Sequence, residues 1–146
     1  MSSLTTFTTA LSSAQSKAAY TANIQSAASG VDLETLKAAV DAVLAGDDNA
    51  SVSGDQAAAL KGGFEFAVAL VMALETEPGM EEKLDLYKYF KQARNEQPAQ
   101  PSFYQMEAKY KYNAWKEISH ISAEKAQARY IELVNKLAEK YGTKTA

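Results

Sequence analysis

The chain has 146 residues, of which 47% are apolar and 23% charged. This is the composition of a soluble globular protein and not of a disordered one, with room for one ordinary domain or for a small domain plus an extension. The net charge of -3 is unevenly spread: it is −4 in residues 1–60 and +1 in the remainder. Neither part has the basic surface that nucleic-acid binding needs, so no nucleic-acid partner is expected.

The chain has no cysteine, which excludes disulfides, thiol nucleophiles and thiolate metal sites. His120 is the only histidine, and a lone histidine near a helix end is more often a dipole-facing or solvent residue than a ligand. We therefore expect neither a metal site nor a cofactor. The longest strongly apolar run, residues 66–74, is far shorter than the roughly 20 residues that span a bilayer. The N-terminus resembles neither a secretory signal nor a mitochondrial presequence, so cytoplasmic residence without stable membrane insertion is expected.

The first third of the chain predicts an extension that ends near residue 61. Residues 1–30 are rich in Ser, Thr and Ala, and because Ser and Thr are weak helix formers we expect a marginal helix or a mobile arm. Asp32 can cap a helix over about residues 32–45 with one apolar stripe. Residues 46–61 then have the glycines and small polar residues of a linker. Because the apolar stripe is unsuited to water, it should pack on the rest of the chain or on another chain. A monomer is expected, with dimerisation through the extension left open.

The second part, residues 62–146, predicts a bundle of four helices. The segments cover about residues 64–75, 80–95, 110–119 and 122–142. Pro78-Gly79 and a loop with two prolines interrupt the helical pattern, Ser122 can cap the last helix, and Gly142 is placed to end it. No segment shows sustained strand alternation, so the predicted fold class is all-α.

Lysines and aromatic residues recur at helical spacing in this part of the chain. Tyr87 and Lys91 share one helix face, and Lys111 lies one turn from Trp115. Each hydrogen bond from a lysine or a tyrosine hydroxyl to a phosphate could contribute about 1.5–3 kcal/mol to the binding free energy. Stacking of a purine on an aromatic ring could contribute about 1–3 kcal/mol. In the alternative interpretation the lysine stems only cover apolar surface and Trp115 is a core residue. No glycine-rich phosphate loop is present, which excludes P-loop and Rossmann sites.

The order of the motifs from Phe64 to Gly142 resembles that of the acyl-CoA-binding protein family. The matching pieces are Phe64 to Leu74 with Pro78, Leu86-Tyr87 with Phe90-Lys91-Gln92-Ala93, Lys109 to Trp115, Ser122 with Glu124 and Ala126, Tyr130-Ile131, and Leu137 with Lys140-Tyr141-Gly142. The resemblance implies a four-helix up-down-down-up bundle, preceded here by one or two extra helices.

The resemblance also implies a binding site. Tyr87, Lys91 and Lys111 would hold the 3′-phosphate of CoA, Phe90 would face the adenine, and Tyr130 would close the site. The residues implied for the acyl groove are Val68, Val71 and Leu84.

This chain departs from the family pattern at several of these positions. Phe90 replaces a usual tyrosine, Met72 and Glu77 stand where lysine is common, and Lys83 replaces a usual methionine at the acyl groove. The loop at residues 95–107 is shorter than usual. These differences bear on affinity and acyl-length preference and not on the fold.

The expected function is that of a non-catalytic intracellular carrier. It would bind medium- to long-chain acyl-CoA esters, buffer their free concentration and deliver them to lipid-metabolising enzymes. Two alternatives remain open: a helical protein-interaction module without acyl-CoA binding, and an enzyme, since such domains can be fused to acyl-CoA isomerases. The extension is too short for a catalytic domain, and no nucleophile with an adjacent base is evident.

Overall fold

A computed structural model describes residues 4–145, which form helices and connecting loops. The helices are α1 (Thr5–Gln15), α2 (Ala22–Ala28), α3 (Leu33–Ala45), α4 (Gly54–Val71), α5 (Met80–Ala93), α6 (Met106–Glu117) and α7 (Ala123–Tyr141). Within these residues the only strand-like pairing is one isolated bridge between Leu74 and Thr143. The all-α prediction is confirmed, and the N-terminal helices number three in the described residues. Residues 1–3 of the predicted arm lie outside the described residues.

Contacts between helix ends fix the directions of α5 and α6. Glu82 in the first turn of α5 accepts a hydrogen bond from the Tyr141 hydroxyl at the end of α7. Gln92 in the last turn of α5 donates to the carbonyl of Ile121, just before α7. The two helices are therefore antiparallel. The indole of Trp115, near the end of α6, donates to the same Gln92, so α6 runs in the direction of α5.

Helix α4 runs parallel to α7. Phe64 and Tyr130 meet with ring centroids 5.1 Å apart, and just beyond the C-terminal ends of both helices Leu74 pairs with Thr143. With α5 and α6 in the opposite direction, helices α4 to α7 have the up-down-down-up arrangement.

The predicted helix over residues 32–45 is present as α3. The Asp32 side chain accepts hydrogen bonds from the backbone N–H groups of Glu34 and Thr35, at 3.1 and 3.3 Å, which satisfies donors that have no partner within the helix. The helix ends at Ala45, before Gly46. Its apolar face is buried against α4 and α7.

Helices α1 and α2 stand where a marginal helix or mobile arm was expected. Phe7 and Leu11 are fully buried, and the Phe7 ring meets that of Phe66 edge-on at 5.5 Å. Leu4, the N-cap of α1, supplies no side-chain hydrogen bond; instead the Phe7 N–H donates to the buried Asn135 side chain of α7 at 2.8 Å. Tertiary packing therefore outweighs the weak helix propensity of this segment.

The segment expected as a linker is irregular only over residues 46–53. Residues 54–61 form the first turns of α4, with Ala59 and Leu60 buried. The irregular part is fixed to the start of α7: the Ser122 hydroxyl donates to the carbonyl of Ala50 at 2.6 Å and accepts from the Lys125 N–H at 3.0 Å.

One core unites the extension with the bundle. Buried residues of α1, α2, α3, α4 and α7 belong to a single apolar cluster, and α4 crosses residue 61 without a break. The division of the chain into an extension (residues 1–61) and a helical bundle (residues 62–146) thus remains a proposal based on the sequence. Among the residues described, no helix is long and apolar enough to cross a membrane.

Candidate functional site

An open cavity of about 710 Å³ lies between α5 and α6, over the end of α4 and the middle of α7. Its size is within the range of small-molecule sites in proteins. The lining residues are Val71, Met80, Lys83, Leu84, Leu86, Tyr87, Phe90, Glu107, Tyr110, Lys111 and Tyr130. Six of the eight residues predicted for the site are in this set.

Two lysines from different helices converge beside one tyrosine ring at the cavity. The ammonium of Lys91 on α5 lies 5.8 Å from the centre of the Tyr87 ring, and that of Lys111 on α6 lies 5.6 Å from it. Their side chains are only 30% and 43% exposed. Lys91 is not itself among the lining residues described, but it stands beside one of them. The three residues predicted to hold a phosphate therefore meet in space.

Each of these lysines has a carboxylate partner in the same chain. Lys91 pairs with Glu96 at 3.2 Å and Lys111 pairs with Glu107 at 3.3 Å. The hydrogen bond from Lys91 holds the pKa of the Glu96 carboxyl below its usual value. An anionic ligand at this place would thus compete with two carboxylates for the ammonium groups.

Gln92 fixes the register that brings Lys111 to Tyr87. Its side-chain oxygen accepts from the indole N–H of Trp115 at 3.0 Å, and its side-chain nitrogen donates to the carbonyls of Ser119 and Ile121. Trp115 is buried, so it acts as a core residue, as the alternative interpretation had it. The glutamine locks α5, α6 and the connection to α7 together.

Two aromatic rings, Phe90 and Tyr130, form the floor of the cavity, and the buried ring of Phe64 packs against both. Phe64 lies 6.1 Å from Phe90 and 5.1 Å from Tyr130, and Phe90 lies 6.4 Å from Tyr130. Tyr130 is almost wholly buried, and this burial raises its pKa. The guanidinium of Arg94 stands 5.2 Å from the Phe90 ring, which leaves an aromatic face with a neighbouring positive charge.

Toward the start of α5 the cavity lining is apolar except for Lys83 among the described lining residues. Val71, Leu84 and Leu86 line it, together with Met80, whose side chain is 74% exposed. Val68, predicted for the same groove, instead packs against the core and is not among the described lining residues.

The comparisons with known proteins agree with this geometry. Residues 61–134 match the family model described as acyl CoA binding protein. The chain belongs to the acyl-CoA-binding protein family. Relatives include the acyl-CoA-binding proteins of Saccharomyces cerevisiae (35% identical, over 55% of this chain and 94% of the relative) and of Dictyostelium discoideum (39%, over 53% and 95%). Acyl-CoA-binding protein homolog 1 of Caenorhabditis elegans is 36% identical over 54% of this chain and 94% of its own length. The family match begins at residue 61, so α1 to α3 lie outside it.

In this acyl-CoA-binding family member, five lining residues were not among the predicted site residues: Met80, Leu86, Glu107 and Tyr110, and also Lys83, which was noted at the acyl groove only as a departure from the family pattern. Tyr110 directly precedes Lys111 in a motif that was recognised, and Glu107 lies one turn before Lys111 at ion-pair spacing. Leu86 precedes Tyr87 in another recognised motif. Met80 follows the Pro78-Gly79 break, and only its position at the mouth of the cavity identifies it.

His120 lies away from the cavity. It pairs with Asp48 of the loop before α4 at 3.4 Å, and its side chain is more than half exposed. In residues 4–145 no group of three or more His, Cys, Asp or Glu is placed to hold a metal ion.

Proposed function

We propose that this protein is a non-catalytic cytoplasmic carrier of medium- to long-chain acyl-CoA esters, which it buffers and delivers to lipid-metabolising enzymes. The observation that carries the proposal is the convergence of Lys91 and Lys111 on Tyr87 at one end of a cavity whose other end is apolar. The names of the relatives, all acyl-CoA-binding proteins, support it.

The polar end suits the 3′-phosphate of CoA. Two ammonium groups and a phenol can donate charge-assisted hydrogen bonds to the phosphate, each contributing about 1.5–3 kcal/mol where water is partly excluded. Because the lysines come from two helices fixed by Gln92 and Trp115, little reorganisation is needed. The phosphate would displace Glu96 and Glu107, which are held only by partly exposed ion pairs.

The Phe90 face suits the adenine of CoA. A base on an aromatic ring contributes roughly 1–3 kcal/mol, and Arg94 adds a positive charge beside the ring. Tyr130, buried beneath Phe90, supports the ring from below and closes the floor. The missing hydroxyl at position 90 removes a hydrogen bond and keeps the stacking surface.

The apolar end suits the start of an acyl chain. Each methylene that leaves water contributes up to ~0.8 kcal/mol, while immobilising the ligand costs several kcal/mol. Apolar burial alone does not separate a CoA ester from a free fatty acid, so the phosphate contacts supply that selection. The thioester would survive binding because the described lining residues include no serine, threonine or cysteine to attack it.

The protein is further proposed to act as a monomer. The apolar stripe of α3, which was unsuited to water, is covered by α4 and α7 of the same chain. No second copy is therefore needed to bury Leu36, Val40 and Val43.

Two alanine substitutions test the phosphate site. Lys91→Ala and Lys111→Ala should each weaken palmitoyl-CoA binding by about 1.5–3 kcal/mol, which is roughly 10- to 150-fold in the dissociation constant. Isothermal titration calorimetry measures the loss, and far-UV circular dichroism should show unchanged helix content. Lys116→Ala, exposed on α6, is the matched control and should bind like the wild type. Wild-type affinity in both test variants would show that the phosphate lies elsewhere.

A further inference from the structure

Lys83 is a charged residue at the apolar end of the cavity. It lines the cavity beside Met80 and Leu84, and its ammonium forms an ion pair with Glu77 in the loop between α4 and α5. The side chains are 52% and 78% exposed, so both charged groups remain in contact with water.

The position of Lys83 along α5 is opposite the phosphate end. Lys83, Tyr87 and Lys91 follow one another at intervals of four residues on one face of α5, so roughly 12 Å of helix separates the first from the last. Lys111 approaches the helix at Tyr87. A ligand whose phosphate lies at Lys91 and Lys111 would therefore meet the Lys83–Glu77 pair with its acyl chain.

The Lys83–Glu77 ion pair is a charged, water-exposed interruption among the apolar lining residues at this end of the cavity. Methylenes that pass it would remove water from two charges without offering a hydrogen bond in return, which is unfavourable. The hydrogen bond from Lys83 lowers the pKa of the Glu77 carboxyl, so this carboxyl is charged at neutral pH. A chain that ends before Lys83 gains the contacts with Val71, Leu84 and Leu86 without this penalty.

We propose that Lys83, held by Glu77, limits the acyl-chain length that gains affinity, so that methylenes beyond those of a medium-length chain add little to the binding of acyl-CoA esters. This inference rests on the proposed function of the same cavity. It assigns a specificity role to a residue that touches neither the phosphate nor the adenine.

The experiment is a titration of octanoyl-, dodecanoyl- and palmitoyl-CoA into wild type, Lys83→Met and Lys88→Met by calorimetry. In the wild type, affinity should rise from octanoyl- to dodecanoyl-CoA and by less than about threefold from dodecanoyl- to palmitoyl-CoA. In Lys83→Met, the gain over the last four methylenes should reach about tenfold or more, because the path stays apolar. Lys88→Met removes the same charge from a residue outside the described lining and should keep the wild-type dependence.

Lys83→Arg separates charge from side-chain shape. It retains a cation beside Glu77 and should keep the wild-type chain-length dependence. If Lys83→Met shows the same dependence as the wild type, the lysine stem merely lies along the acyl chain and the inference is overturned, although acyl-CoA binding stands. If the wild type binds none of the three esters, the proposed function fails and the inference fails with it.

Discussion

Lys111 pairs with Glu107 across one turn of α6, and the carboxylate of this pair lines the cavity in which we place the ligand. Glu107 therefore opposes an anionic ligand in two ways: it occupies the ammonium of Lys111, and it adds negative charge beside the phosphate. A partly exposed pair of this kind contributes only about 0.2–1 kcal/mol, so a phosphate can replace it.

Glu107→Gln should strengthen palmitoyl-CoA binding by about two- to fivefold, because the pair no longer has to be broken. Calorimetry at low ionic strength is the measurement, since salt screens the effect. Glu117→Gln, exposed at the end of α6, changes the net charge equally and serves as control. Unchanged or weaker binding in Glu107→Gln alone would contradict a phosphate at Lys111.

Glu82 ties the start of α5 to the end of α7. It accepts hydrogen bonds from the Tyr141 hydroxyl at 2.6 Å, from the Gly79 N–H at 2.9 Å and from the Lys140 ammonium at 2.9 Å. These bonds, the one from Tyr141 first, lower the pKa of the carboxyl from 4.5 to about 2. The charged form is thus favoured by the fold.

The sign of the pH dependence follows from this lowered pKa. Because the carboxyl binds its proton less readily in the folded state, it stabilises the fold above pH 4.5, and that stabilisation is lost as the pH falls toward about 2. Glu82→Gln should therefore lower the melting temperature at neutral pH, and the difference from the wild type should shrink below pH 4.5. Thermal denaturation over a pH series measures it, with the exposed neighbour variant Glu81→Gln as control. A difference that does not change with pH would contradict this role for Glu82.

At the scale of helices, α7 holds α3 through one buried lysine. Lys125 is 5% exposed, and its ammonium donates to the carbonyls of Val43 at 3.1 Å, Leu44 at 3.3 Å and Gly46 at 2.9 Å. Carbonyls at the end of a helix have no partner within it and carry partial negative charge. The lysine satisfies them from another element, since the last turn of α3 has no basic residue of its own.

Lys125→Met keeps the length of the side chain and removes its donors. It should lower the free energy of unfolding by about 1–3 kcal/mol, since buried carbonyls lose their partner. Urea denaturation followed by circular dichroism measures this change. Lys136→Met, on the exposed face of the same helix, should stay within about 0.5 kcal/mol of the wild type. Equal free energies of unfolding in the two variants would show that water satisfies these carbonyls as well as the lysine does, which would contradict this role for Lys125.

Helix ends that are marked by a capping residue could be predicted from the sequence. Asp32, Gly46, Ser122 and Gly142 start or end helices as expected, because capping depends on residues that are neighbours in the chain. The side-chain caps that Asn135 and Lys125 give to other helices could not be predicted. They depend on which helices pack together, which spacing along one helix does not reveal.

Helix α4 begins at Gly54, ten residues before the predicted start near residue 64. Gly62 and Gly63, of a residue type that commonly marks a turn, lie inside this helix. A Cβ atom on Gly63 would lie 2.5 Å from a methyl carbon of Leu36, so the glycine allows α3 to approach α4 closely. The same residue type thus marks a turn in one context and a helix crossing in another.

At the scale of the whole molecule, the extension and the cavity lie on different sides of the bundle. Helices α1 to α3 pack on α4 and α7, and α5 and α6 supply most of the cavity. No described residue of 4–61 lines the cavity, so a lid over the site is not supported by the packing. We propose instead that the extension stabilises α4 and α7, whose residues Val71 and Tyr130 form part of the cavity wall.

The bundle and the main site residues could be predicted because the motifs of the family are short and lie in order along the chain. Tyr87, Lys91 and Lys111 were found by those motifs, and they meet in space as the resemblance implies. The ion pairs that these lysines make, and the pair of Lys83 with Glu77, depend on side-chain conformation and on the irregular loops. The extension had no motif to guide it, and its weak helix formers gave no sign of how deeply it is buried.

The central claim is that one cavity recognises a CoA phosphate and an acyl chain together. The most direct measurement is a parallel calorimetric titration of the full chain with palmitoyl-CoA, CoA and palmitate. Palmitoyl-CoA should bind at least about tenfold more tightly than either part, since each part makes only some of the contacts. Equal affinity for palmitate and palmitoyl-CoA, or no binding of palmitoyl-CoA at all, would contradict the claim.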